Sequence, residues 1–197
     1  MNRFDNLEKM AKENGGILLT NDIVAAGISK PTLADFVKKN EYERISRGIY
    51  CSKEYWTDDL YLLQRRCPKT VFSHETALFL MNMTDREPFR YSVTAKTGYN
   101  PSHLSADNVK VFTVKKDLFD LGITEGQTPF GHKVLLYGPE RTICDMIRSR
   151  SEMEIQSVQD ALKSYSQRKD KKLHNLMEYA KLFHVDKRLN QYLEVLL

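Results

Sequence analysis

The stretch TNDIVAAGISKPTLADFVKKNEYERISRGIYC, residues 20–51, decides the fold of the N-terminal part of the chain. Two short helical patterns meet in it across residues 27–29, where a glycine ends the first helix. Ser29 is placed to cap the second helix, and Pro31 stands in its first turn, where a missing N–H costs nothing. Two helices joined by a tight, glycine-containing turn predict a helix-turn-helix.

The residues before this stretch predict a further helix and a short apolar segment. Residues 3–14 carry apolar side chains at helical spacing, and the run stops at the terminator Asn14-Gly15-Gly16. The apolar residues 17–19 follow, and Thr20 or Asn21 is the expected N-cap of the next helix.

The residues after the turn predict a recognition helix and a wing. Apolar residues of the third helix face inward, which leaves these residues toward solvent or a ligand: Lys30, Thr32, Asp35, Lys38 and Lys39. Residues 42–45 and 49–51 are strand-like and flank Ser46-Arg47-Gly48, a small hairpin. Three helices followed by a basic hairpin are the order of a winged helix.

The rest of the chain predicts a larger, mixed domain. Helices are expected from Trp56 to Arg66, after Ser73 and after Gly138, and strands over residues 89–95, 109–114 and 130–136. From Glu152 the pattern is helical, with breaks near Asp170 and Val185. We therefore predict an α+β protein with a winged helix-turn-helix domain at 1–52 and a mixed α/β domain with a helical C-terminal tail at 57–197.

Composition limits the class of protein. The chain has 197 residues, of which 41% are hydrophobic and 28% charged, as in a soluble globular protein. No apolar run approaches the roughly 18 residues of a membrane span, and the N-terminus lacks a signal-peptide pattern, so we expect a cytoplasmic protein without membrane association. Three cysteines without C-x-x-C spacing predict neither a disulfide framework nor a zinc site.

The charge lies mainly at the ends of the chain. The net charge of +4 divides into +1 for residues 1–52, none for 53–147 and +3 for 148–197. Such an excess permits the binding of a polyanion without requiring it.

The predicted DNA contacts lie in the winged helix. The expected donors to phosphates and base edges of double-stranded DNA are Ser29, Lys30, Thr32, Lys38 and Lys39 on the recognition helix, and Arg44 and Arg47 on the hairpin. Two other interpretations stay open: a solvated lysine surface, and a winged helix that binds protein.

A second basic set lies in the helical tail. Its members are Lys163, Arg168, Lys169, Lys171, Lys172 and Lys181. Such a face suits contacts with the phosphates of DNA, with a toxin or with the RNA on which the toxin acts. The alternative is a solvated surface on helices whose other face, with Leu173, Leu176, Met177 and Tyr179, is core.

No pattern for catalysis, metal or cofactor binding stands out. His74 and Glu75 are adjacent, so on a helix they point about 100° apart, and a capped helix start explains them better. No two of the five histidines, His103 included, stand at the H-E-x-x-H spacing of a zinc site. The glycines fit no phosphate-binding loop. We predict a non-enzymatic protein without cofactor or metal.

Three motifs in order resemble the AbiEi family of antitoxins, from bacterial abortive-infection, type IV toxin–antitoxin systems. They are YERISRGIY at 42–50, SHETAL at 73–78 and GPERTICD at 138–145. The likeness covers most of residues 5–150 and is looser in the tail. Cys144 departs from the pattern, where a bulkier aliphatic residue is more usual.

The resemblance implies a transcriptional autorepressor that binds inverted repeats in its own promoter and also counteracts a nucleotidyltransferase toxin, without a stable complex. It assigns the first activity to the N-terminal domain and the second to the C-terminal domain. Two alternatives stay open. One is a stand-alone winged-helix regulator whose α/β domain binds a small ligand; the other is a nuclease-like enzyme using Asp117, Glu140 and Asp145.

Overall fold

The computed structural model describes residues 3–102, 104 and 108–196. The chain divides into two compact units, Met1–Leu62 and Leu63–Leu197. The boundary falls within the helix Asp59–Arg66. None of the described helices is long and apolar enough to cross a membrane.

The first unit is a winged helix, as the sequence predicts. Its elements are α1 (Arg3–Glu13), β1 (Ile17–Leu19), α2 (Thr20–Ala25), α3 (Lys30–Lys39), β2 (Glu43–Ser46) and β3 (Ile49–Cys51). The strands form an antiparallel sheet in the order β1-β3-β2. The helices pack around Leu7, Ile23, Leu33 and Phe36, all at most 4% exposed.

The start of α2 differs from the prediction. Its N-cap is Leu19, and no side chain caps it, so Thr20 and Asn21 are not the caps. The reason is non-local: the Thr20 amide donates to the Gly48 carbonyl in the hairpin, at 2.8 Å. The hairpin thus supplies an acceptor for one of the amides that the first turn of a helix leaves unpaired.

The larger unit is a five-stranded mixed sheet with helices. Its elements after α4 (Asp59–Arg66) are β4 (Thr70–Phe72), α5 (His74–Leu80), β5 (Tyr91–Lys96), β6 (Val109–Val114), α6 (Lys116–Phe119), β7 (Ile123–Gln127), β8 (Lys133–Tyr137), α7 (Pro139–Arg148), α8 (Ile155–Gln167), α9 (Leu173–Leu182) and α10 (Asp186–Leu196). The strand order is β6-β5-β4-β8-β7, with β5 and β6 parallel, and β4 and β8 parallel.

One helix is the centre of this unit. Every residue of α7 from Glu140 to Ile147 is buried, and α5, α8 and α9 pack against it. Its apolar members Ile143, Met146 and Ile147 are fully buried. In the tail, Leu176 is buried, but Leu173 is 46% exposed and not core, because it lies in the first turn of α9, one turn before the buried stretch.

A side chain joins α4 to the sheet. The Gln64 amide donates to the Leu135 carbonyl at 2.7 Å and accepts from the Leu135 N–H at 2.6 Å. Gln64 therefore satisfies both backbone groups of one residue in β8, as a residue of a neighbouring strand does.

Candidate nucleic-acid interface

The recognition helix α3 begins at the predicted cap. Ser29 has an extended backbone, and its Oγ accepts from the Thr32 amide at 3.3 Å and lies 2.8 Å from Thr32 Oγ1. Pro31 occupies the first turn. The two predicted hydroxyl contacts, Ser29 and Thr32, thus hydrogen-bond each other at the start of the helix.

The exposed surface of α3 has two flanks. At about 100° per residue, Lys30 and Lys38 lie on one flank, whereas Thr32 and Lys39 lie on the other. Asp35 is exposed between them. All four predicted contacts therefore point away from the core, but they do not form one face.

The two flanks differ in their surroundings. Lys39 Nζ lies 5.5 Å from the centre of the Phe4 ring of α1, a cation–π distance. Phe4 in turn packs edge-on against Phe36 beneath α3. The Lys39 flank thus adjoins α1, and the flank of Lys30 and Lys38 is the one free for a groove.

The two arginines of the hairpin differ in their contacts, and among the described residues no partner of the Arg47 side chain is found. Arg47 is exposed beside Gly48, whose φ of +79° suits a glycine in the tight turn. Arg44 Nε instead donates to the Ser46 carbonyl at 3.3 Å, next to a bulge in the β2–β3 pairing. Arg47 is therefore the freer of the two to reach a phosphate.

The basic residues of the tail differ in their contacts. Arg168 makes two bonds to the Asp170 carboxylate, at 2.9 and 2.6 Å. Lys171 Nζ donates to the Ser166 and Arg168 carbonyls at the end of α8. Four members remain exposed: Lys163, Lys169, Lys172 and Lys181.

The motif at 73–78 forms a buried polar network. His74 is fully buried, with Nδ1 2.9 Å from Ser73 Oγ and Nε2 3.1 Å from Ser149 Oγ, and its ring stacks on Phe112. Burial lowers the pKa of His74 well below its ordinary value, and the nearby arginines act in the same direction. Ser73 precedes α5 as predicted but does not cap it, because its Oγ bonds to His74 and Thr94.

The motif at 138–145 centres on a buried arginine, which the sequence analysis did not single out. Arg141 Nε donates to Asp145 Oδ2 at 2.9 Å, and its Nη1 donates to the Leu118 and Leu121 carbonyls. Its guanidinium lies 4.0 Å from the Tyr137 ring and 4.3 Å from the Phe183 ring. The i, i+4 spacing of an Arg and an Asp in an otherwise buried helix is the signal for this pair.

The carboxylates of the nuclease interpretation have other partners. Glu140 Oε1 accepts from the Lys172 amide at 2.8 Å and the Tyr165 hydroxyl at 3.2 Å, and Asp145 pairs with Arg141. Asp117 is exposed on α6. Within the described ranges, which leave out His103, no group of three or more His, Cys, Asp or Glu is placed to hold a metal ion.

Comparison with known families finds a match within the first unit. Residues 7–53 match the model of a family described as "Transcriptional regulator, AbiEi antitoxin". This match confirms the predicted resemblance over the winged helix, and the resemblance of the two later motifs stays a prediction.

Comparison with solved structures extends to most of the fold. The chain is similar to the RV2827C protein from Mycobacterium tuberculosis, with 14% sequence identity and a TM-score of 0.58, over 89% of this chain and 69% of that one. At this identity the likeness concerns the fold alone. No curated protein matches the chain.

Proposed function

We propose that this protein represses its own promoter by placing α3 in the major groove of an inverted-repeat operator. The observation that carries the proposal is the exposed flank of Lys30 and Lys38, in a winged helix whose sequence matches AbiEi transcriptional regulators. Lysine donates to guanine O6 and N7 in the major groove, and Arg47 on the wing suits a phosphate.

The test is binding to the DNA upstream of the protein's own gene, measured by fluorescence anisotropy. Lys30→Ala with Lys38→Ala should weaken binding to this DNA by at least tenfold, and binding to random DNA much less, because base contacts carry the sequence information (~1–3 kcal/mol each).

A matched control makes the same change in net charge elsewhere in the first unit. Lys9 and Lys12 of α1 pair with Glu13 and Glu8 and are exposed. Lys9→Ala with Lys12→Ala should leave the preference for the upstream DNA unchanged. An equal loss of preference in both double variants would contradict the assigned reading face.

We further propose that residues 57–197 counteract a nucleotidyltransferase toxin in the cytoplasm, without a stable complex and without an enzymatic activity, metal or cofactor of their own. Support comes from the resemblance of the motifs at 73–78 and 138–145 and from the size of this part, since a winged helix needs only about 50 residues to enter a groove.

Co-expression separates the two activities. The Lys30→Ala, Lys38→Ala chain should lose repression and still rescue cells from the toxin encoded beside it. The fragment 57–197 should rescue without repressing, once circular dichroism has shown that it is folded. A folded fragment that gives no rescue would refute this division of labour.

A further inference from the structure

An open cleft lies in the larger unit where α8, α10 and the turn after α7 meet. Its volume is about 680 Å³, within the range of small-molecule sites. It is lined by Arg150, Gln156, Gln159, Asp160, Leu162, Lys163, Arg188, Gln191 and Tyr192. The winged helix contributes none of these residues, so the cleft shares no residue with the proposed DNA interface.

The charge of the cleft favours an anion. Arg150, Lys163 and Arg188 come from three different elements and line the same space, and the ion pairs found among the described residues involve none of them. The single carboxylate, Asp160, already accepts from Gln156 Nε2 at 2.8 Å. Three cations against one carboxylate leave the cleft with an excess of positive charge, which attracts a phosphate more strongly than an isolated surface lysine does.

The other lining groups suit a heterocyclic base. Gln159 and Gln191 offer amides that both donate and accept, as the edge of a base requires. Tyr192 is half-buried, packs against the core and also lines the cleft. Base–aromatic stacking of this kind is tolerant of the base.

From these features we infer that the cleft between α8 and α10 binds a nucleotide, with its phosphate toward Arg150, Lys163 and Arg188 and its base beside Tyr192. The inference does not depend on the proposed repression or on the toxin. A duplex is too wide for a cleft of this volume, so the ligand is either a free nucleotide or one nucleotide of a single strand.

The experiment is isothermal titration calorimetry of the full-length protein with AMP, adenosine and inorganic phosphate at physiological salt. AMP should bind with a Kd below about 1 mM. Adenosine should bind at least tenfold more weakly, because it lacks the charged group, and phosphate should also bind more weakly, because it lacks the base.

Charge reversal in the cleft provides the site test. Lys163→Glu with Arg188→Glu should weaken AMP binding at least tenfold. The control, Lys169→Glu with Lys181→Glu, makes the same change in net charge on exposed residues outside the cleft and should keep the affinity within about twofold. Both variants must show the thermal unfolding midpoint of the unaltered protein; if the cleft variant does not, Lys163→Gln with Arg188→Gln replaces it.

Three results would overturn the inference: no AMP binding, equal losses in the cleft and control variants, or phosphate binding as tightly as AMP. Competition by a short single-stranded RNA then identifies the source of the nucleotide. RNA that displaces AMP both from the unaltered protein and from the control variant Lys169→Glu with Lys181→Glu supports a strand in the cleft. RNA that fails to displace AMP supports a free nucleotide.

Discussion

Arg141 Nε lies 2.9 Å from Asp145 Oδ2, and neither side chain is exposed. The pair stands in the middle of α7, with Tyr137 and Phe183 on the faces of the guanidinium. Burial raises the pKa of the Asp145 carboxyl, an effect that the Arg141 charge opposes. Removing the Arg141 cation would leave the buried carboxylate with only the partly exposed Arg148, whose Nη2 lies 3.4 Å from Asp145 Oδ1. The helices α5, α8 and α9 pack on α7, so a disturbance there reaches several elements of the larger unit.

Arg141→Met should therefore lower the free energy of unfolding by about 3–5 kcal/mol, the usual cost of breaking one side of a buried ion pair. Urea denaturation followed by circular dichroism measures it. The exposed pair Lys133–Glu125, at 2.7 Å, is the control, and Lys133→Met should leave the urea midpoint nearly unchanged. Similar midpoints for the two variants would refute the central role of Arg141.

His74 should make stability fall in acid. Its pKa is lowered in the folded state, mainly by burial, whereas in the unfolded chain it titrates near 6.5. Below about pH 6.5 the unfolded state therefore binds a proton that the folded state does not, and this group costs up to about 1.4 kcal/mol per pH unit. Above pH 6.5 it contributes no pH dependence.

The measurement is urea denaturation between pH 7.5 and about pH 5, for the protein and for His74→Asn. Asparagine tolerates the positive φ of +50° at this position and does not titrate. The substituted protein should be less stable at pH 7.5 but should lose less stability on acidification. Parallel pH profiles would show that His74 is protonated in the fold.

Ser29 separates helix capping from DNA contact. Ser29→Ala should cost about 1 kcal/mol of stability, because the Thr32 amide loses its acceptor. Ser29→Asp keeps the cap and places a negative charge at the start of α3, so it should preserve the thermal midpoint but weaken binding to all DNA. If Ser29→Asp binds DNA as well as the unaltered protein, no phosphate lies near this end of α3.

Arg47 should act as a phosphate contact. Arg47→Ala should weaken operator and random DNA alike and reduce the slope of log K against log salt by about 0.9, the value for one phosphate. Arg44→Ala should have a smaller effect on the slope, because the Arg44 guanidinium already bonds to Ser46. A loss confined to the operator would instead assign Arg47 to base contact.

The first unit could be predicted because its signals are local. Gly27 has a φ of +79° where the turn requires it, Ser29 caps α3, and the apolar spacing of α1 marks its buried side. The start of α2 could not be predicted, since the acceptor for the Thr20 amide comes from Gly48, 28 positions along the chain.

The larger unit is harder to predict from the sequence, because several of its elements form only against neighbouring elements. The sequence patterns do not indicate β4, which has only three residues, or β7, whose residues are largely polar and exposed at the sheet edge. The spacing of Lys163 and Arg188 also gave no indication that they line one cleft. Only the packing of α8 with α10 brings them there.

Gln64 has a consequence for how the sheet finds its alignment. In the β7–β8 pair, the alternation of buried and exposed side chains along β8 sets the alignment, whereas no residue of the outer strand β7 is buried. Along a strand, the N–H and C=O groups of successive residues point to opposite edges. If β8 slid by one position, the Gln64 amide would face a residue whose polar groups point the other way, and both bonds to Leu135 would be lost. The Gln64 side chain of α4 therefore adds a second constraint on the position of β8. This constraint depends on the direction of the backbone polar groups and not on the identity of a side chain.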